Sequence, residues 1–118
     1  MMNQKDLTSK KCQPCQKGTP PLSSKEIQER MTSVSGWQLG HDSKSIFHEY
    51  ITVNFMSAVR LIDKIADLAE SEDHHPDLHL TGYRKLKVEL ATHSIGGLSE
   101  NDFILAAKID QLPKELKK

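Results

Sequence analysis

The hydrophobic pattern of this chain switches between the period of a strand and that of a helix, and no other feature limits its possible folds so tightly. From Asn54 the apolar residues Phe55, Ala58, Val59, Ile62, Ala66 and Ala69 recur at helical steps, opposite a polar stripe of Arg60, Asp63, Lys64, Asp67 and Ser71. The spacing predicts a long amphipathic helix with Asn54 as its N-cap, ending near Ser71 or Glu72 because Pro76 biases His75 away from helical geometry. Strand-like segments flank it: Trp37-Gln38-Leu39 and Ile46 to Val53 before it, Asp77 to Thr81 and Leu86 to Ala91 after it. Gly40-His41-Asp42-Ser43-Lys44 and the segment around Gly82 are connections of hairpin length. A first helix is expected at about residues 23–33, capped by Ser23 or Ser24 and closed before Gly36. A last helix opens at Leu98-Ser99, with Phe103, Ala106 and Ala107 on its apolar side and Leu105 and Ile109 alongside. The order is therefore αββαββα. Strands joined in hairpins predict a four-stranded antiparallel sheet with helices packed on one face, an α+β fold.

With 118 residues there is room for one domain. Residues 1–21 show no apolar periodicity and read as a mobile N-terminal arm; residues 22–112 form the domain, and 113–118 a fraying charged tail. Sixteen basic and sixteen acidic side chains leave a formal charge of zero, which argues against nucleic acid as a charge-driven partner. No apolar run approaches the ~18 residues of a membrane span, and the N-terminus lacks an export signal's apolar region. A cytoplasmic location is expected. The aromatic content is only three Phe, two Tyr and one Trp, a lean supply that burial between subunits would supplement.

Histidine is the unusual entry in the composition: of six, His74, His75, His79 and His93 fall in one short stretch. Glu70, Glu72 and Asp73 crowd the C-terminal end of the long helix, where the macrodipole disfavours each carboxylate by roughly 0.3–1 kcal/mol. His74 and His75 are the nearest cationic partners, and a carboxylate bonded to an imidazole orients the ring and favours its charged form. Because Leu86, Val88 and Leu90 take the core face, Lys87, Glu89, Ala91 and His93 fall on the opposite one, with His93 at a strand end. His79 reads the same way and, like His41 and His48, as an ordinary surface residue. Asp102 has two readings: a capping carboxylate in Ser99-x-x-Asp102, with Leu98 and Phe103 as a hydrophobic staple, or a group that orients an imidazole or a substrate.

Metal binding is the rival use of clustered histidines, but adjacent His74 and His75 diverge in an extended segment and no HExxH spacing occurs. Cys12-Gln13-Pro14-Cys15 lacks both the further ligands of a closed zinc site and the βαβ setting of a thioredoxin-type motif, so two reduced cysteines are expected. Gly96-Gly97 is a turn without the Lys-Ser/Thr of a phosphate loop.

Glu70, His74-His75-Pro76, Tyr83, His93 and Asp102, at their spacing here, together resemble the active-site signature of the pterin-4a-carbinolamine dehydratases. THSIGGLSENDFILAAKID resembles that family's C-terminal block, and GWQL with IFHEYITVNF its first hairpin, so the resemblance spans roughly residues 22–110. CQPC followed by GTPPL is similar to the N-terminal arm of many bacterial members. The resemblance implies a hydro-lyase that converts 4a-hydroxytetrahydrobiopterin, or a related tetrahydropterin, to quinonoid dihydropterin and water, recycling the cofactor of aromatic amino acid hydroxylases. It implies a pterin substrate, no metal or organic cofactor, and a homodimer or homotetramer. Carried over residue by residue, His74, His75 and His93 are the catalytic histidines. His93 and His74 would move protons while His75 binds the pterin; Glu70 and Asp102 would orient rings or substrate, and Tyr83 would shape the site. Some members carry Trp two residues after the proline, where this chain has Leu78. Two alternatives accompany the resemblance: a non-catalytic dimeric binding or coactivator protein, and a related pterin role in molybdenum cofactor metabolism.

Overall fold

The computed structural model describes residues 4–13 and 18–117. Strands β1 (Gln38–Leu39), β2 (Ile46–Ile51), β3 (Asp77–Thr81) and β4 (Lys85–Leu90) form one antiparallel sheet in the spatial order β1-β2-β4-β3. Helices α1 (Gln4–Thr8), α2 (Ser24–Met31), α3 (Phe55–Glu72) and α4 (Glu100–Gln111) complete the α+β fold, with one 3-10 turn at His93–Ile95. From α2 onward the order is the predicted αββαββα. The two hairpins are joined through β2 and β4, where Ile46 pairs with Leu90 and Tyr50 with Leu86. Alternation then buries Ile46, Tyr50, Leu86, Val88 and Leu90 on one face and leaves His79, Lys87 and Glu89 on the other. In the β3–β4 connection Gly82 and Tyr83 are both left-handed, a conformation that glycine adopts freely and tyrosine only under constraint.

Helix α3 begins where predicted, with the Asn54 side chain accepting from Ser57 N–H at 2.9 Å. Its end is set locally by Asp73, which takes a left-handed conformation (φ 52°) and turns the chain toward His74-His75-Pro76. The buried face differs from the predicted stripe: it runs through Ala58, Leu61, Ile65 and Ala69, while Phe55 is 50% exposed and Ala66 is exposed. The helix carries two neighbouring apolar stripes with the same spacing, and periodicity alone cannot choose between them.

Helix α4 is buried nearly all round, from Asn101 to Ala107 and again at Ile109. Such a helix needs cover on its outer side, and part of that cover comes from the N-terminal segment, which the sequence reads as an arm without periodic structure. Within its described residues, Gln4–Thr8 are helical, Leu7 is fully buried, and Cys12 is buried against the backbone of Asn101. One leucine in a polar stretch gives no periodic signal, so composition conceals this docking.

The tail also departs from expectation. Leu116 bridges to Thr52, Val53 N–H donates to Glu115 O at 2.9 Å, and Lys117 N–H donates to Ile51 O at 2.8 Å. The Arg60 guanidinium grips the Glu115 carboxylate through bonds of 2.8 and 2.9 Å. Far from fraying, the tail continues the pairing of β2.

His48 is likewise not a free surface residue, because its parity on β2 points it to the core face. Its ring stacks on Tyr50 at 4.1 Å between centroids and meets Trp37 edge-on at 5.6 Å. Asp110 of α4 ties this cluster together, accepting from Tyr50 Oη–H at 2.6 Å and from Trp37 Nε1–H at 3.1 Å. Gly36 (φ 90°) is required beside it, since a Cβ there would lie 2.8 Å from His48 Nε2. Burial lowers the His48 pKa below the ordinary 6.5, against the pull of Asp110. The unfolded chain therefore takes up the proton first, so stability is lost as pH falls through 6.5 toward the depressed folded value. Urea unfolding of the wild type from pH 7.5 down to 5 should show a loss of stability that His48→Phe shows less steeply; identical pH slopes would show that this ring contributes nothing.

Candidate active site

The sheet register gathers the predicted residues other than Tyr83 at one end of the fold. Asp77, the first residue of β3, lies opposite Glu89 near the end of β4, so residues 74–76 and 90–93 pass each other there. The first turn of α4 supplies Asp102 to the same place.

Asp102 is fully buried and occupies both of the roles that its sequence position suggests. Its Oδ2 accepts from Ser99 N–H at 3.0 Å, closing the N-terminus of α4, and from Thr92 Oγ1–H at 2.8 Å. Its Oδ1 takes His74 Nε2–H at 2.6 Å. Thr92 has a single hydroxyl proton and gives it to Asp102, so at its 2.7 Å contact with Ser99 Oγ it accepts. The result is an ordered chain from Ser99 through Thr92 and Asp102 to His74. With Nε2–H committed to a carboxylate, Nδ1 is the ring nitrogen of His74 left to exchange a proton. The His74 side chain is only 12% exposed.

His75 Nε2 is hydrogen-bonded to the Glu70 carboxylate, one helical turn back, and both side chains are exposed. This pair orients the ring while contributing little stability. His93 follows Thr92 directly and is exposed on the 3-10 turn, which Gly96 N–H closes by donating to His93 O at 3.1 Å. With Asp42, Ser45, Asp77 and Glu89 it lines a cleft of about 310 Å³. Ser45 Oγ–H donates to Glu89 at 3.1 Å, which fixes one wall.

Tyr83 is not brought to this cluster. It lies 58% exposed in the turn at the far end of the β3–β4 hairpin, under the Arg84 guanidinium at 5.4 Å. Spacing in sequence matches it to a site position, but the hairpin carries it a strand's length from His75 and His93. Leu78 pairs opposite Val88 and packs against the core rather than lining the cleft. Among the described residues, no group of three His, Cys, Asp or Glu side chains could hold a metal ion.

Two features escape the sequence reading. Thr92, beside His93, is the link to Asp102; the alternation of Leu86, Val88 and Leu90 puts it on the core face but says nothing of its partner. Glu72 is the other: it turns inward to accept from Lys108 Nζ at 2.7 Å and from Cys12 N–H at 2.8 Å. Burial alone would raise its carboxyl, but these partners outweigh that and hold it below the ordinary value.

Residues 20–112 match the family model described as Pterin 4 alpha carbinolamine dehydratase. The chain is 43% identical over 113 residues to pterin-4-alpha-carbinolamine dehydratase 2, mitochondrial, of Arabidopsis thaliana; the match covers 93% of this chain and 60% of that longer protein. It is 46% identical over 107 residues to a Nitrosospira multiformis protein that bears the family's name, covering 91% of this chain and 92% of the relative. Its fold is similar to a Brucella melitensis crystal structure titled transcriptional coactivator/pterin dehydratase, with a TM-score of 0.72 and 31% identity over 76% of this chain and 95% of that one.

Replacing the buried carboxylate tests the network directly. Asp102→Ala should cost about 3 kcal/mol in urea unfolding, because it orphans buried donors from three residues, and Asp102→Asn about half as much. A loss below about 1 kcal/mol for the alanine variant would mean that water replaces the carboxylate there.

Proposed function

Because this chain belongs to the pterin 4 alpha carbinolamine dehydratase family, we propose that it dehydrates 4a-hydroxytetrahydrobiopterin or a close tetrahydropterin by histidine acid–base catalysis. The observation that carries this reading is the ordered chain that fixes His74 through Asp102 to Thr92, which lines a cleft together with His93. In the reaction the C4a–oxygen bond breaks, the departing hydroxyl takes a proton and leaves as water, and a ring nitrogen releases a proton. One group must give and one must take near neutral pH, the range in which imidazole does both. We assign proton transfer to His74 and His93, and pterin binding to His75 oriented by Glu70. Positioned groups of this kind contribute roughly 10²–10⁴ in rate.

The donor-rich edge of a pterin suits the acceptor side chains Asp77 and Glu89 in the cleft. The small neutral substrate also suits a chain of zero net charge. Self-association belongs to the same proposal: Val53, Phe55 and Met56 are each at least half exposed in one continuous stretch, an apolar surface that a second subunit would cover. We retain the cytoplasm as the location; among the described residues no helix is long and apolar enough to cross a membrane.

The same apolar stretch favours a second reading, a non-catalytic binding protein. The two separate in one assay. Under the first, purified protein accelerates carbinolamine dehydration without added metal, and His93→Ala, still folded, loses about 10²-fold or more in kcat. Wild type no faster than buffer overturns that reading in favour of the second, and an alanine variant as fast as wild type removes His93 from the mechanism.

A further inference from the structure

The N-terminal segment touches neither the cleft nor any of the histidines in the described contacts, yet it is bonded to both elements that carry the buried pair. Cys12 N–H donates to Glu72 Oε1 at 2.8 Å, and Glu72 is the last residue of α3, two before His74. Gln13 N–H donates to Asn101 Oδ1 at 2.9 Å, Asn101 Nδ2–H donates back to Gln13 O at 2.6 Å, and Asn101 immediately precedes Asp102. The Cys12 thiol adds a weaker bond to Asn101 O at 3.6 Å. Lys108 of α4 holds the second oxygen of Glu72 at 2.7 Å. Glu72 and Asn101 are both buried, so these bonds are shielded from water. Upstream, Leu7 is fully buried in the core and Lys10 Nζ bonds Glu100 at 3.1 Å, which anchors the segment along α4.

We infer that Cys12-Gln13 is a positioning strap that fixes the end of α3 against the start of α4 and so sets the register of His74 on Asp102. The inference rests on the proposed role of that pair in proton transfer. His74 reaches Asp102 from a short turn after α3, and only the relative placement of two helices decides whether the ring nitrogen meets the carboxylate. A misplacement of about 1 Å at a reacting group costs on the order of 10²-fold in rate. The strap is a positioning element, because its described bonds are to Glu72 and Asn101 rather than to the histidines. Its cysteine reports its state: burial, with the charge of Glu72, pushes the Cys12 thiol up to about 12, so the docked thiol is a poor nucleophile and a released one is not.

The experiment uses the full chain with Cys15→Ser, so that Cys12 is the single thiol of the two present. Gln13→Pro removes the donor to Asn101 without changing either helix; Asn101→Ala removes the other side of the contact, and Asn101→Asp restores the acceptor alone. Alkylation of Cys12 by iodoacetamide should accelerate tenfold or more in Gln13→Pro and Asn101→Ala. In the same variants kcat should fall about tenfold with KM within twofold of wild type, and Asn101→Asp should recover part of the loss. Without any pterin, the ring N–H resonance of His74, assigned with His74→Gln, should shift or broaden. A freed Cys12 with an unmoved His74 resonance and unchanged kcat overturns the strap, as does a Cys12 that stays protected in both variants. If wild type itself fails to dehydrate the carbinolamine, the proposed function falls, and the His74 resonance alone then decides the strap.

Discussion

A single buried carboxylate organises this molecule. Asp102 is fully removed from solvent, and a charge in that position persists only when donors surround it. Those donors come from three different places in the fold: the amide of Ser99 at the start of α4, the hydroxyl of Thr92 after β4, and the ring of His74 after α3. The positive end of the α4 macrodipole favours the same charge. Satisfying one side chain thus fixes where two helices and a strand end meet. The capping role and the ring-orienting role are one arrangement, because the carboxylate has an oxygen for each.

What could be read in the sequence follows the range over which its signals act. The hairpins, long helix and sheet class were legible because alternation and helical spacing are local, and burial of one face is nearly forced. The phase of α3 was not, because Leu61–Ile65 and Phe55–Ile62 are equally good apolar pairs and only the packed sheet selects the first. Leu7 and Leu116 were missed for another reason: each is a lone apolar residue in a polar stretch, and each is held by a partner remote in sequence. A signal did exist for the first. The run Phe103-Ile104-Leu105-Ala106-Ala107 is apolar on every side of its helix and so demands a second covering layer.

The site divides along the same line. His74, His75, Glu70 and Asp102 were legible as a spaced set, and the structure joins them in two pairs. Tyr83 matched the spacing but not the place, since residues on the two ends of a hairpin stay apart however close their numbers. The partners of Thr92 and Glu72 were not legible, because a polar residue's partner is decided by tertiary packing. His48 illustrates the converse: strand parity placed it on the core face, but its polarity argued for the surface, and parity prevailed because Trp37 and Tyr50 supply an aromatic pocket for the ring.

The two rings assigned to proton transfer differ in their freedom, and the proposed chemistry needs that difference. His74 is enclosed, with one nitrogen committed to a carboxylate whose other oxygen is already bonded twice. Such a ring cannot follow a substrate; it must be placed in advance, which is why the supports behind it matter. His93 is exposed on a short turn at the cleft, held among the described residues through its backbone, and can adjust to whatever lies there. A fixed group sets the geometry and an adaptable one completes it. On this view changes behind the site, at Asn101 or Glu72, act on kcat through His74, whereas changes in the cleft, at Glu89 or Asp77, act on binding.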